Sequence, residues 1–149
     1  QDSEKYSNER FIPAISIHSP YSVHPILVKK VLEIAKQKDM VVSAHFMESK
    51  AEREWLDNNR GGFKIFFQTH LNQSKATTTS MKFLKLFENI KTHFIHSVWA
   101  NEEELQKIYS MGASIAHCPI SNRLLNSGLL NIERVKNLNI PYSVATDGL

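Results

Sequence analysis

Five short apolar runs recur along the chain, and helical patterns lie between them. These runs are partly β-branched, which is typical of buried strands. They cover Ala14–Ile17, Val41–Ala44, Phe94–Ile95, Ser114–Ala116 and Tyr142–Ala145. Strands that alternate with helices favour a parallel sheet covered by helices. The pattern therefore predicts an α/β fold, either an open doubly wound sheet or part of a (β/α)8 barrel.

Apolar periodicity predicts five helices between these strands. The clearest spans Pro25–Lys36, with Pro in the first turn, where it is tolerated. Its predicted buried stripe consists of Ile26, Leu27, Val31, Ile34 and Ala35. The other helices are predicted from after Ser49 to about Asn58, over about Ser80–Asn89, after the cap residue Asn101 to near Gly112, and over about Asn131–Asn137.

Polar residues mark the starts of two of these helices. Ser49 and Glu52 form a capping-box pattern, in which each side chain bonds a backbone N–H of the other residue. Asn101 can cap the fourth helix, whose first turn holds the acidic residues 102–104 at the positive end of the helix dipole. Three apolar residues of that helix are expected to face inward, namely Leu105, Ile108 and Tyr109.

Chemically reactive side chains stand where the apolar runs end. The five positions are His18, His45, His96, His117 and Asp147, so four of the seven histidines lie at strand ends. A single histidine in such a place is more often structural. In a barrel, however, the carboxyl ends of all strands surround one mouth, so five matching positions are expected to converge there.

This convergence favours the barrel over the doubly wound sheet. Five strands account for about the last five of the eight βα units of a barrel. The chain lacks an initiator Met, and Tyr6 is the only apolar residue among its first ten. We therefore expect residues 1–149 to be a partial catalytic barrel domain, approximately strands 4 to 8 with their helices, from a larger enzyme.

The overall composition narrows the class of protein. With 149 residues, 42% apolar side chains, 5 Gly and 5 Pro, the chain is neither collagen-like nor disordered. The 18 basic and 15 acidic residues are interspersed, so nucleic acid is not an expected partner. No apolar run approaches the ~20 residues of a membrane span, and the single Cys118 fits a reducing compartment. We expect a cytoplasmic protein with a small-molecule substrate; a homo-oligomer remains open.

Imidazole and carboxylate groups at one mouth suggest a metal site. His45 and Asp147 are the natural pair of ligands for one divalent cation, with zinc preferred over iron or manganese. Such a cation lowers the pKa of bound water toward ~7. Glu48 follows His45 closely enough to overhang the pocket and shuttle a proton, and His96 can hydrogen bond the water or the developing oxyanion.

The remaining reactive residues are interpreted as structural. Cys118 has no base beside it in the sequence, and a buried Cys needs no function. His24, His70 and His93 are expected to be structural or exposed. His93 and His96 are not expected to face the barrel axis together, because positions three apart on a strand point to opposite faces.

Five motifs in this order resemble the amidohydrolase superfamily, specifically its metal-dependent deaminase and chlorohydrolase branch. The likeness covers nearly the whole chain. Its carriers are His18-Ser19-Pro20-Tyr21-Ser22, His45-Phe46-Met47-Glu48, Ile95-His96-Ser97-Val98, His117-Cys118-Pro119-Ile120-Ser121-Asn122 and Thr146-Asp147-Gly148. The resemblance implies strands four to eight of a (β/α)8 barrel around one catalytic metal.

The same resemblance implies roles for the catalytic residues. His45 would be the metal ligand from the fifth strand, and Asp147 would be the ligand from the eighth and accept the proton of the attacking water. Glu48 would carry that proton to a ring nitrogen of the substrate. His96 would orient the attacking oxygen and stabilise the adduct.

Two histidines are implied at the substrate. His18 would touch it, at a ribose, and His117 would support the loop that shapes the pocket, so both are counted as substrate-binding candidates. The sequences of these motifs most resemble those of deaminases of adenine-containing nucleosides, especially the aminodeoxyfutalosine deaminases of menaquinone biosynthesis. Related hydrolases of S-adenosylhomocysteine, guanine or chlorinated triazines are alternatives, and a non-catalytic half-barrel scaffold is an alternative of another class.

One family feature has no counterpart in the chain. The His-x-His pair of the first barrel strand, which supplies two further metal ligands, is absent from these 149 residues. The metal site is therefore expected to be incomplete here. We predict that the segment alone binds metal weakly and is inactive, whereas the intact protein is an enzyme.

Overall fold

A computed structural model describes residues 7, 8, 10 and 12–148. Within these residues, strands and helices alternate along the chain. The strands are β1 (Ala14–Ile17), β2 (Val41–Phe46), β3 (Thr92–His96), β4 (Ser114–His117) and β5 (Tyr142–Val144). The helices are α1 (Pro25–Gln37), α2 (Lys50–Asn58), α3 (Gly62–Leu71), α4 (Ser80–Lys85), α5 (Glu102–Ser110), α6 (Pro119–Leu124) and α7 (Ile132–Asn137).

The five strands form one parallel sheet whose order follows the chain, β1-β2-β3-β4-β5. A doubly wound sheet reverses its strand order at a switch point, whereas a barrel winds in one direction. Side chains of β2 alternate between buried and partly exposed, so the helices cover one face of the sheet. The predicted fold class, an α/β sheet that forms part of a (β/α)8 barrel, is confirmed.

The core between the sheet and the helices is rich in aromatic rings. Phe46 of β2 contacts Phe83 of α4 and Phe94 of β3, with ring centroids 6.3 and 5.6 Å apart. Phe87 packs on Phe83 and Phe94, and all four residues are completely buried. Burial of four such rings contributes several kcal/mol, so β2 and β3 form a rigid base for the residues at their carboxyl ends.

Two helices were not predicted from the sequence. α3 begins at a glycine pair, Gly61 and Gly62, where the sequence indicates a break instead of a helix. α6 begins directly after β4 with Pro119 in its first turn, a position where the missing N–H costs nothing. The predicted third helix is also shorter than expected, because α4 ends at Lys85.

The predicted buried stripe of α1 is wrong. The helix buries Val28, Leu32 and Ala35, which are spaced i, i+4 and i+7. Of the predicted stripe only Ala35 is buried and Val31 partly so, and the remaining three are exposed: Ile26, Leu27 and Ile34. On α5, Leu105 and Ile108 are buried as predicted, whereas Tyr109 is exposed. Two apolar stripes can lie side by side on one helix, and only its packing partner selects between them.

The helices carry no candidate for membrane insertion. Across the described residues, none is both long enough and apolar enough to cross a bilayer.

Candidate active site

Side chains from four strand ends meet at one edge of the sheet. The ring centroids of His18 and His45 are 5.1 Å apart, and those of His45 and His96 are 5.2 Å apart. Nε2 of His96 lies 3.7 Å from a carboxylate oxygen of Glu48 and 3.8 Å from one of Asp147. The structure thus brings together five of the six predicted site residues.

His45 is oriented by the neighbouring strand. The parallel register pairs Ile17 with Ala44, so His18 and His45 follow side by side at the ends of β1 and β2. Nδ1 of His45 lies 2.8 Å from the carbonyl oxygen of His18. A carbonyl only accepts, so Nδ1 carries the hydrogen and Nε2 keeps a lone pair. This tautomer leaves His45 suited to bind a cation through Nε2.

The ring of His18 is fixed by two hydroxyl groups of the following turn. Its Nδ1 lies 2.6 Å from Oγ of Ser22 and 3.0 Å from Oγ of Ser19. These two hydroxyls lie 2.7 Å apart and hydrogen bond each other. The residue itself is exposed, so its ring is held in place while remaining accessible.

His96 reaches the site through an unusual backbone conformation. Its φ is 70°, and the N–H of Ser97 donates to the carbonyl of Ile95 at 3.1 Å, which closes a three-residue turn around His96. The buried ring places Nδ1 2.8 Å from the amide oxygen of Asn122. That amide oxygen can only accept, so Nδ1 is the donor and Nε2 faces Glu48 and Asp147.

This turn corrects the argument that His93 and His96 cannot share a face. His93 pairs with Ser43 and Ser114, on the same face of the sheet as His45, and its ring contacts the Ser114 hydroxyl. The register would place His96 beside Phe46, on the helix-covered face. Strict alternation requires an extended backbone, and the left-handed conformation at His96 turns its ring back towards His45.

Left-handed residues other than glycine gather at this edge. Positive φ values occur at Met47 (49°), His96 (70°) and Ser97 (53°), which are the last residue of a strand or follow it directly, and at Asp147 (63°), in the segment after β5. Such a conformation costs about 1 kcal/mol or more per residue and tends to occur at functional sites. Nothing in the sequence marks Met47 or His96 as left-handed, because glycine and asparagine are the residues that usually adopt this conformation.

Asp147 is kept ionised by its surroundings. Its Oδ2 accepts a hydrogen bond of 2.7 Å from the hydroxyl of Ser121, at the start of α6. This bond is the main reason that the pKa of Asp147 lies below its ordinary value, and nearby His96 and His45 lower it further. Sequence reasoning gave Ser121 no role and interpreted Asn122 only as a residue of a structured loop, although both stand in one of the quoted motifs.

The donor atoms at this edge suit a divalent cation. A ring nitrogen of His96, the Cys118 sulfur and a carboxylate oxygen of Asp147 all lie within 4.8 Å of one another. Burial is the main reason that the pKa of the Cys118 thiol is raised, so the sulfur stays protonated and is a poor nucleophile. The lone pair on Nε2 of His45 and the ionised Asp147 carboxylate are the ligand types that zinc, iron and manganese take.

His117 is placed differently from the other candidates. It is paired with Val144 and continues the buried row of Ile115 on β4. Burial, with His96 nearby, lowers its pKa, so the ring is neutral at physiological pH. Among the described residues its Nδ1 has no hydrogen-bond partner. A contact between His117 and substrate stays a prediction.

Known proteins resemble both the sequence and the fold. The profile of the Amidohydrolase family matches residues 1–149. Aminodeoxyfutalosine deaminase of a Nitratiruptor species is 56% identical over 147 residues, which are 99% of this chain and 36% of that protein. Adenosine deaminase of Helicobacter pylori is 37% identical over 141 residues, 91% of this chain and 34% of that protein.

Solved structures of deaminases are similar to this chain in fold. Helicobacter pylori aminofutalosine deaminase in complex with methylthio-coformycin superposes with a TM-score of 0.89 at 33% identity. The match covers 97% of this chain and 37% of that one. The chain therefore spans little more than a third of the length of the relatives it matches.

Proposed function

The chain belongs to the amidohydrolase family, as its motifs predict, and we propose that the protein containing it deaminates an adenine-containing nucleoside by hydrolysis. The observation that carries this proposal is the meeting of His45, Glu48, His96 and Asp147 at one strand-end edge. The similarity to aminodeoxyfutalosine deaminase, at 56% identity, supports aminodeoxyfutalosine as the substrate. Residues 1–149 would then be part of a catalytic barrel domain, acting in menaquinone biosynthesis in the cytoplasm.

One divalent cation is part of this proposal, with zinc preferred over iron or manganese. Nε2 of His45 and the carboxylate of Asp147 would hold it, and the bound cation would lower the pKa of a coordinated water. Catalytic zinc sites use three or four protein ligands, so we propose that the others come from residues outside these 149.

We assign proton transfer to Glu48, the carboxylate nearest the buried His96. Net hydrolysis forms a C–O bond at the amino-bearing ring carbon, breaks the C–N bond and releases ammonia. Asp147 would accept one proton of the attacking water and Glu48 would carry it to a ring nitrogen, while the second proton of the water would leave with the amino group as ammonia. Nε2 of His96 lies 3.7 Å from a carboxylate oxygen of Glu48 and 3.8 Å from one of Asp147, where it can orient the attacking oxygen. His18 would contact the ribose.

Two substitutions in the full-length protein test these roles. Glu48→Gln should abolish ammonia release and leave the metal content nearly unchanged, because the amide cannot carry the proton. His45→Ala should lose both, because a ligand is removed. Glu54→Gln, on α2, makes the same change away from the site and should behave as wild type. Ammonia release by the Glu48→Gln protein at the wild-type rate would contradict the proposal.

A comparison of four candidate substrates tests which one the enzyme prefers. Ammonia release is measured with aminodeoxyfutalosine, adenosine, S-adenosylhomocysteine and guanine at equal concentration. The highest kcat/KM is expected for aminodeoxyfutalosine. A higher value for guanine would place the enzyme with the guanine deaminases, and inactivity on all four would favour a scaffold role.

A further inference from the structure

Glu52 is a completely buried acid beneath the turn that carries Glu48. It lies in the first turn of α2 and is 0% exposed. Its Oε1 accepts a hydrogen bond of 2.9 Å from the N–H of Met47, and its Oε2 accepts one of 3.0 Å from the N–H of Glu48. One carboxylate therefore binds two successive backbone amides, and the second belongs to the residue assigned to proton transfer.

The predicted capping box at this helix is only half formed. The Ser49 hydroxyl accepts from the N–H of Glu52 at 3.2 Å, as the pattern predicts. The Glu52 carboxylate does not complete the box at Ser49, and it bonds the two preceding residues instead. The side chain thus serves the turn between β2 and α2 and not the helix start alone.

Packing does not account for a carboxylate at this place. Burial raises the pKa of Glu52 to about 7, although the hydrogen bonds from Met47 and Glu48 oppose that shift. An apolar side chain of similar size would fill the space without this desolvation cost. What an apolar side chain would lose is the pair of hydrogen bonds to the turn.

The turn needs such support because its backbone is strained. Met47 has a φ of 49°, which is unfavourable for a residue with a side chain. Its carbonyl accepts from the N–H of Trp99 at 2.8 Å, so the residue is held from the β3 side by Trp99 and from the α2 side by Glu52. Together these bonds fix the backbone from which Glu48 reaches to 3.7 Å from His96.

We propose that Glu52 is a positioning residue that fixes Glu48 for proton transfer. This inference rests on the proposed role of Glu48. A side chain misplaced by about 1 Å in proton transfer can cost about 100-fold in rate, so the two hydrogen bonds matter well beyond their own stability.

The test is Glu52→Gln in the full-length, metal-loaded protein. Glutamine keeps the shape but offers one acceptor oxygen for two amides, so one of them loses its partner. We expect kcat to fall about 10- to 100-fold, with KM and metal content little changed. Hydrogen exchange of the Met47 and Glu48 amides, followed by NMR or mass spectrometry, should accelerate while exchange in α5 stays as in the wild type.

Two control variants separate positioning from general destabilisation. Glu54→Gln removes a charge from the same helix, and Val135→Ala destabilises the buried side of α7, far along the chain from the turn. Neither should lower kcat when the protein is folded. If Glu52→Gln does not fold, Glu52→Asp, which withdraws the carboxylate by one methylene, is measured in the same way with the same expected direction.

The outcomes are distinct. Unchanged kcat in the folded Glu52→Gln protein, or unchanged exchange of the two amides, would overturn the inference, as would an equal loss of kcat in Val135→Ala. A wild-type protein without deaminase activity would instead overturn the proposed function, and amide exchange would then still decide whether Glu52 anchors the turn.

Discussion

Two helix starts with the same sequence pattern are built differently. α2 has Ser49 and Glu52 at the N-cap and third helical position, and α5 has Asn101 and Glu104. Both N-cap side chains accept from the backbone N–H three residues later, at 3.2 and 3.0 Å. In α5 the Glu104 carboxylate also accepts from the N–H of Asn101 at 2.8 Å and completes the box.

The two buried acids also differ in their partners. Glu104 is 1% exposed and pairs with the Arg53 guanidinium, which also donates to the Trp99 carbonyl at 3.2 Å. Glu52 binds backbone amides, and its pKa is raised by burial. The same local motif therefore has two outcomes. At α5, Glu104 forms an ion pair that connects this helix to α2. At α2, Glu52 costs stability but orders the turn that carries Glu48.

Removing the cation from the compensated acid should have the largest effect on stability. Arg53→Met leaves the Glu104 carboxylate buried without a compensating cation, so the free energy of unfolding should fall by about 3 to 5 kcal/mol. Urea unfolding of the full-length protein measures this. Arg134→Met is the matched control, because the Arg134–Glu102 pair is exposed and should contribute less than about 1 kcal/mol. Equal losses in the two variants would show that the buried Arg53–Glu104 pair contributes no more to stability than the exposed Arg134–Glu102 pair.

The pH dependence of stability should reveal the raised pKa of Glu52. The folded state holds the proton of Glu52 up to a pKa of about 7, whereas the unfolded chain releases it near 4.5. Stability contributed by this group is therefore complete at low pH and declines as the pH rises from about 4.5 to 7, by on the order of 3 kcal/mol. The neighbouring charges that act on Glu52 are those of Glu48 and Arg53.

The variant Glu52→Gln lacks this titration, so its stability relative to the wild type should improve between pH 5 and pH 8. Urea unfolding of both proteins at the two pH values measures the difference, and titrations common to both proteins cancel. A constant difference across this range would show that burial does not raise the pKa of Glu52.

The smallest expected effects concern the caps themselves. Ser49→Ala and Asn101→Ala each remove one acceptor from a helix N-terminus, so each should lower stability by about 1 kcal/mol. Thermal unfolding compares the two variants under one condition. If Asn101→Ala lowers stability and Ser49→Ala does not, the start of α2 is defined by the hydrogen bonds of the Glu52 carboxylate and not by the Ser49 cap.

The sequence supported the fold better than the details of the site. Strand periodicity located all five strands to within about two residues, because buried strands need apolar residues wherever they occur. It missed the neighbours that fix the site: Asn122 beside His96 and Ser121 beside Asp147. Both residues lie on α6, a short helix whose first residue, Pro119, reads in sequence only as the end of a strand.

The amino-acid pattern alone established the five strands, the five helices predicted between them, the family, and which reactive residues follow each strand, since these depend on local sequence. It did not reveal α3 and α6. Only the tertiary structure decided the buried stripe of α1, the left-handed turn at His96 and the partner of the Glu52 carboxylate. In each case the local sequence allows or even favours another arrangement, and contacts between residues far apart in the chain select the observed one.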